Sequence, residues 1–309
     1  MARTAVASAT AILLATTASC SQSEGTSADE QGVDVSSVPT SQIPADGTTS
    51  TDGLVVKDHA TGTLPSDPYR AVDYRLHDMA LDTWLAVCMS GHQLEYPVVS
   101  FDWNDPNNST STGWSPARTE EQAAEYGYHL MPTSNGEEKH AAQGFISSQP
   151  DSYQKQLSSC SHQAAEDPMF ANAVQDDIPF VTGADANPAA KEAMAAWTEC
   201  MKDLGIPDLP TDAPGPSPST LQRLGLAGAD NTNLTDLSTI TSDEIIIATQ
   251  DARCNAQSHY DEIVYGLTWV GHQRQVTDNE SEFAARLDKI TADRQAYIDY
   301  IEQHRDVIG

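Results

Sequence analysis

Basic residues and aromatic rings are both scarce in this chain of 309 residues. Only 16 side chains are Lys or Arg, against 45 that are Asp or Glu, and the net charge at pH 7 is -29. A chain of this charge repels phosphate backbones and anionic lipid headgroups, so we expect no nucleic-acid partner. Phe, Trp and Tyr together make up 6% of the residues, so the core has few large side chains.

Sequence motifs of catalysis are also missing. The chain contains no G-x-S-x-G, H-E-x-x-H or C-x-x-C motif and no phosphate-binding glycine loop. Ser152 and Lys155 fit the S-x-x-K pattern of penicillin-recognising serine enzymes, but the S-x-N and K-T-G elements that those enzymes need do not occur. His259 and Glu262 form a lone pair without a third metal ligand. The sequence therefore favours a protein that is not an enzyme, and we expect no cofactor.

The first 19 residues have the composition of an export signal. Arg3 supplies one positive charge, and residues 5–18 are small or apolar and uncharged, in a run too short to span a bilayer. The segment TASC, which ends at Cys20, resembles the lipobox of bacterial lipoproteins, in which the cysteine is lipidated and becomes the first residue after cleavage. The alternative is ordinary cleavage near Ala18, which would release a soluble protein with Cys20 unmodified.

The number of cysteines supports a lipid anchor. With five cysteines, one stays unpaired in an oxidising compartment, whereas using Cys20 as the anchor leaves an even four. Cys88 and Cys200 each follow a Trp by about one helical turn and precede a Met. Each is followed later in the chain by a cysteine without these neighbours, Cys160 and Cys254. Four cysteines allow three connectivities, and this order favours Cys88–Cys160 and Cys200–Cys254 as structural bridges.

Composition divides the chain into a flexible segment and a folded body. Residues 20–66 are rich in Ser, Thr, Gly, Asp and Pro and nearly free of large apolar side chains, which predicts a lipidated, disordered tether. Residues 67–309 are expected to form one helical extracytoplasmic domain, with pseudo-repeat halves at about 67–165 and 187–309. The expected fold is mainly α: a disulfide-stapled helical domain with a long C-terminal helix or helix pair and at most a small β-hairpin.

Apolar spacing and capping signals predict the individual helices. Apolar residues recur at helical spacing from Tyr69 to about Met89, and residues 150–165 and 188–204 are also predicted to be helical. Three pairs mark further helix starts: Thr119 with Gln122, Thr241 with Glu244, and Thr277 with Glu280. The apolar rhythm that begins after Thr241 continues to Val270. Alternating residues near Val99 and near Tyr128 suggest the small hairpin.

The loop at residues 101–114 is the candidate for a metal site. Asp102, Asn104 and Asp105 offer the hard oxygen ligands that calcium takes, and two Trp side chains flank the cluster as in a sugar-stacking loop. The loop lacks the sixth-position Gly and twelfth-position Glu of an EF-hand. The alternative is an Asn/Asp turn with two packed Trp side chains.

The Trp–Cys–Met frames, Cys254 in ATQDARCN and the long C-terminal helix resemble a group of uncharacterised secreted lipoproteins of actinobacteria, over roughly residues 68–309. That resemblance implies a location and a fold rather than a chemistry. We therefore expect a lipoprotein, carrying palmitate or a similar acyl chain on Cys20, at the outer face of the cell membrane. Its expected role is that of a non-catalytic binding or accessory module with a partner in the cell envelope. The alternative is a lipoprotein that binds a small ligand or a calcium-like cation, and a hydrolase is less favoured.

Overall fold

The computed structural model describes residues 32–100, 102–103, 113–132, 136–227, 234 and 236–308, and in these ranges the fold is mainly α, as predicted. The helices are α1 (Tyr74–Gly91), α2 (Glu120–Tyr126), α3 (Gly136–Ser147), α4 (Asp151–Glu166), α5 (Pro168–Ala171), α6 (Pro188–Met201), α7 (Pro218–Arg223), α8 (Ser242–Ser258), α9 (Tyr260–Asp278), α10 (Glu280–Gln303) and α11 (Arg305–Ile308). Over the same ranges, none of these helices is both long and apolar enough to cross a membrane.

The predicted helix starts are confirmed where the signal is local. Thr119 Oγ1 accepts the Gln122 N–H at 3.1 Å, and Gln122 Oε1 accepts the Thr119 N–H at 3.0 Å, which completes the capping box of α2. Thr241 likewise caps α8 by accepting the Glu244 N–H at 3.2 Å. The side chain of Glu244, however, does not return to Thr241, so this capping box is only half formed.

The C-terminal segment is built of three consecutive long helices, α8, α9 and α10. The periodic run from Thr241 to Val270 is interrupted at His259, whose φ of 57° lies in the left-handed region. Histidine tolerates this conformation better than branched residues do, and no Gly or Pro marks the break in the sequence. The next break falls at Asn279, so the capping pair predicted at Thr277 and Glu280 is wrong.

The predicted extent of the tether is also wrong, because residues 32–66 belong to the packed body. Val35 and Leu64 are fully buried, and the segment lies against α9 along two apolar clusters. Gly266 of α9 allows this close approach, since a Cβ atom there would collide with Ile43. The few apolar residues of the segment are widely spaced, so composition alone does not reveal that they pack.

Two apolar clusters of the core hold most of the helices together. In the first cluster α1 packs against α4, α5 and α10, through residues that include Leu76, Phe170 and Tyr297. In the second cluster α6 packs against α8 and α9 around Trp197. Because α10 packs on α1, the predicted halves share a core, and the chain from Gly32 onward forms one compact unit.

The segment suggested for a hairpin has a different structure. Tyr126 ends α2, and Gly127, with a φ of 54°, turns the chain. Phe101, on the other arm, lies outside the described residues. An antiparallel bridge is found instead between Thr49 and Val56, in a turn that α9 supports.

Candidate functional site

Two disulfides staple neighbouring helices, and they join the pairs that the order of the cysteines favoured. Cys88 of α1 is bonded to Cys160 of α4, with their Cα atoms 6.0 Å apart. Cys200 of α6 is bonded to Cys254 of α8, with a Cα separation of 5.6 Å. In each bridge the second cysteine is fully buried and the first is partly exposed. Both bridges therefore lie at the edge of the core.

A hydrogen bond from Trp to Asp accompanies each bridge. Trp84 Nε1 donates to Asp167 Oδ2 at 3.2 Å, and Trp197 Nε1 donates to Asp251 Oδ1 at 2.9 Å. Trp84 precedes the cysteine of its helix, whereas Asp167 follows the cysteine of the partner helix. Trp197 and Asp251 both precede their cysteines. The two helices of the first bridge are therefore antiparallel along these contacts, whereas those of the second bridge are parallel. The two predicted halves do not repeat the same structure.

A buried polar network joins the turn after α2 to the start of α8. His129 and Glu244 are both fully buried, with His129 Nδ1 at 2.8 Å from Glu244 Oε1. The same carboxylate oxygen accepts the Tyr128 N–H at 2.8 Å, and His129 Nε2 lies 3.0 Å from Thr239 Oγ1. Gly127 is required beside it, because a Cβ there would collide with the Glu244 side chain. Sequence reasoning assigned Glu244 to the helix cap and missed this role.

The network extends to the second bridge through Asp251. The Tyr128 hydroxyl donates to Asp251 Oδ2 at 3.0 Å, and Trp197 donates to its other oxygen. Burial raises the pKa of Asp251 in spite of these two hydrogen bonds.

The hydroxyl of Thr239, the imidazole of His129 and the carboxylate of Glu244 follow one another in the order of a catalytic triad. The His129 ring is fully buried, however, and cannot reach a substrate. We therefore interpret the network as structural.

A groove of about 750 Å³ runs between residues 54–74 and α10. Leu54, Val56 and Tyr74 line it, and each leaves about half of its surface exposed. Arg70 forms an ion pair across it with Asp176 at 2.9 Å. Asp176 and α10 lie far along the chain from residues 54–74, and no local motif could have indicated the groove.

The residues considered for chemistry from the sequence do not converge on a site. Ser152 and Lys155 are exposed on α4, which leaves no shielded nucleophile. His259 Nδ1 lies 3.0 Å from Glu262 Oε2, with both side chains largely exposed. Asp102 is exposed, and the calcium site at this loop stays a prediction. Three predicted site residues lie outside the described residues: Cys20, Asn104 and Asp105.

One buried histidine has a strongly perturbed acidity. His272 of α9 is 4% exposed, and its Nδ1 lies 2.8 Å from the Ser66 hydroxyl. Burial, and then the positive charge of Arg70, lower the pKa of His272 from 6.5 to about 4. The ring is therefore neutral in the folded protein at pH 5, while the same ring in the unfolded chain is charged.

We expect this histidine to weaken the fold in acid. Between pH 6.5 and about 4 the unfolded chain binds a proton that the folded chain does not, so stability falls as the pH falls through this window. The difference corresponds to roughly 3 kcal/mol by pH 4 and vanishes above pH 7. Urea unfolding from pH 7 to 4 should show wild type losing this much more stability than His272→Gln.

Asp82 has the opposite effect on stability in the same pH range. Burial raises the pKa of Asp82 to about 6, so there the folded chain binds the extra proton and stability rises as the pH falls. The two groups change the free energy of unfolding with pH in opposite directions. The contribution of each is therefore measured as the difference between wild type and the variant of that residue. Asp82→Asn should lose more stability in acid than wild type does. Parallel curves for His272→Gln and wild type would contradict the assignment.

Comparison with known proteins assigns the chain to no family. No protein-family model, curated protein or solved structure matches the chain. The resemblance to secreted actinobacterial lipoproteins therefore stays a prediction from the sequence.

Proposed function

We propose that this protein is a lipid-anchored binding module of the cell envelope, held at the outer face of the cell membrane by Cys20. Its partner binds in the groove between residues 54–74 and α10. The observation that carries the proposal is the gathering of three half-exposed apolar side chains, Leu54, Val56 and Tyr74, in one concavity. Apolar surface that is exposed and concave is typical of binding sites.

The walls of the groove support a preformed site. On one side, the segment that carries Leu54 and Val56 is held against α9 by buried Val55 and Leu64. On the other side, Ile290 of α10 is 8% exposed and lines the groove from the core. Both walls are thus packed without a ligand. The two disulfides are consistent with a body that lies in an oxidising compartment outside the cytoplasm.

Four Asp and two Arg side chains line the groove, and one of the two, Arg294, suits a partner segment that is apolar with an acidic residue. Arg294 lines the groove and is exposed, and no carboxylate among the described residues pairs with it. In a chain with a net charge of -29, such an arginine is an unusual positive charge. Arg70, by contrast, forms ion pairs with Asp176 and Asp67. We therefore assign the groove to an apolar segment of another envelope protein, with a carboxylate that reaches Arg294.

Site-specific photo-crosslinking in intact cells tests this assignment. A photoreactive amino acid at Tyr74 should capture one partner protein, and the same species should be captured from Leu54. Phe180 is the matched control, because it is 84% exposed and does not line the groove. Val56→Asp and Arg294→Glu should each reduce the yield from Tyr74 by more than roughly tenfold, since they bring a negative charge to the apolar wall or to the acidic residue of the partner.

Equal capture from Tyr74 and Phe180 would contradict the proposal. So would an unchanged yield from the Val56→Asp and Arg294→Glu variants. Both variants lie at exposed positions, so a normal thermal unfolding curve should verify that each one still folds.

A further inference from the structure

A histidine lies beside one of the two disulfides. His92 follows Cys88 by four residues at the C-terminal end of α1, so the two side chains share a face of the helix. A ring nitrogen of His92 and the sulfur atoms of Cys88 and Cys160 all lie within 4.8 Å of one another. Over the described residues this is the one group of three metal-binding side chains that converges.

The positions of these side chains do not depend on the bridge alone. Cys160 lies in an apolar cluster with Leu85 and Met89 of α1 and Tyr153 of α4. The same helices pack again around Ala80 and Ala164. This packing joins α1 to α4 through contacts other than the bridge.

The second bridge has different neighbours. Gln250 Nε2 lies 3.2 Å from Cys254 Sγ, and Gln257 Oε1 lies 3.6 Å from Cys200 Sγ. Amide groups are poor ligands for soft metal ions, whereas imidazole and thiolate are good ones. The chain thus contains two bridges with similar burial and different potential for metal binding.

We propose that reduction of the Cys88–Cys160 bridge creates a zinc site formed by Cys88, Cys160 and His92. An external dithiol attacks the bridge by thiol–disulfide exchange, is itself oxidised to a disulfide, and leaves both cysteines as thiols. Zinc then binds the two thiolates and the neutral imidazole, and the two thiol protons pass to solvent. This proposal does not rest on the groove or on its partner.

The geometry suits a site with one open position. Zinc–sulfur bonds of about 2.3 Å and zinc–nitrogen bonds of about 2.0 Å place tetrahedral ligands roughly 3.5–3.8 Å apart. The three ligand atoms reach that spacing by small side-chain rotations once the sulfur–sulfur bond is broken. His92 is exposed, so water can take the fourth position.

Zinc titration of the folded protein tests the proposal. Two double variants each keep one bridge: Cys200→Ala with Cys254→Ala, and Cys88→Ala with Cys160→Ala. After reduction with a phosphine, the first variant should bind one zinc ion in competition with a chromogenic chelator, and the second should bind none. His92→Ala in the first background should weaken binding by more than roughly tenfold. Cobalt in place of zinc should give the thiolate charge-transfer absorption of a tetrahedral site.

Every other outcome overturns the proposal. Equal binding by the two double variants would mean that zinc binds elsewhere, and unchanged affinity in His92→Ala would exclude the imidazole as a ligand. Circular dichroism decides the remaining case. Loss of helix on reduction, without recovery on addition of zinc, would show that the packing around Cys160 does not hold the site together.

Discussion

Trp197→Ala should lower the free energy of unfolding by about 4–5 kcal/mol, near the upper end for a single substitution. The indole is fully buried in the cluster that joins α6 to α8 and α9, so its removal leaves a large cavity next to the Cys200–Cys254 bridge. It also removes the Nε1–H donor at 2.9 Å from Asp251, a carboxylate that is itself only 8% exposed. Urea denaturation followed by circular dichroism measures the loss.

Two variants separate the contributions of packing and hydrogen bonding. Trp197→Phe keeps most of the apolar volume but deletes the donor, so we expect a loss of about 1–3 kcal/mol. Trp84→Ala is the matched control in the first helix pair, because Trp84 also donates to an Asp but is partly exposed. Its loss should be clearly smaller than that of Trp197→Ala. Equal losses for the two alanine variants would show that burial does not set the cost.

The parts of the fold that sequence predicted correctly are those with local signals. The helix predicted to begin at Pro188 does so, with Asn187 as its N-cap, and Thr119 with Gln122 marks the start of α2, because a cap involves only residues within one turn. The cysteine pairs followed from the order of residues that accompany them. These features need no knowledge of which helices pack together.

The features that sequence missed depend on tertiary contacts. Nothing in the sequence around His259 indicates a break, since α8 and α9 each bury an apolar face and the apolar rhythm continues past the turn. Residues 32–66 have the composition of a tether and are ordered by contact with α9. Gly266 illustrates this dependence, because the absence of a side chain on this distant helix makes room for Ile43.

The candidate sites divide in the same way. The groove needs Val56 and Tyr74 of one segment together with Arg294, which lies far along the chain, so only the folded structure brings them together. Glu244 looked like a helix cap because that role is local, while its contact with His129 crosses more than a hundred residues. For the Cys88 site a partial signal existed, the C-x-x-x-H spacing at the end of a predicted helix. It becomes informative only when Cys160 is placed beside it.

Cys20→Ala should move the protein from the membrane fraction to the soluble fraction and abolish labelling by a fatty-acid analogue. A chain with a net charge of -29 is repelled by anionic headgroups, so under the proposed anchoring the acyl chains supply the attraction. Each buried CH₂ group contributes about 0.8 kcal/mol, and loss of the anchor should change the bound-to-soluble ratio by more than roughly a hundredfold.

Ser23→Ala is the matched control for the anchor, because it makes a similarly small change three residues away and keeps the thiol. It should retain both the label and the membrane fraction. The result also separates the two cleavage hypotheses. Ordinary cleavage near Ala18 predicts a soluble wild type that carries an unmodified Cys20, and then Cys20→Ala changes nothing. A labelled wild type together with an unlabelled, soluble Cys20→Ala leaves only lipidation of Cys20. In that case the partner of the groove must itself be exposed at the membrane surface, since an anchored body can meet only what lies within reach of its anchor.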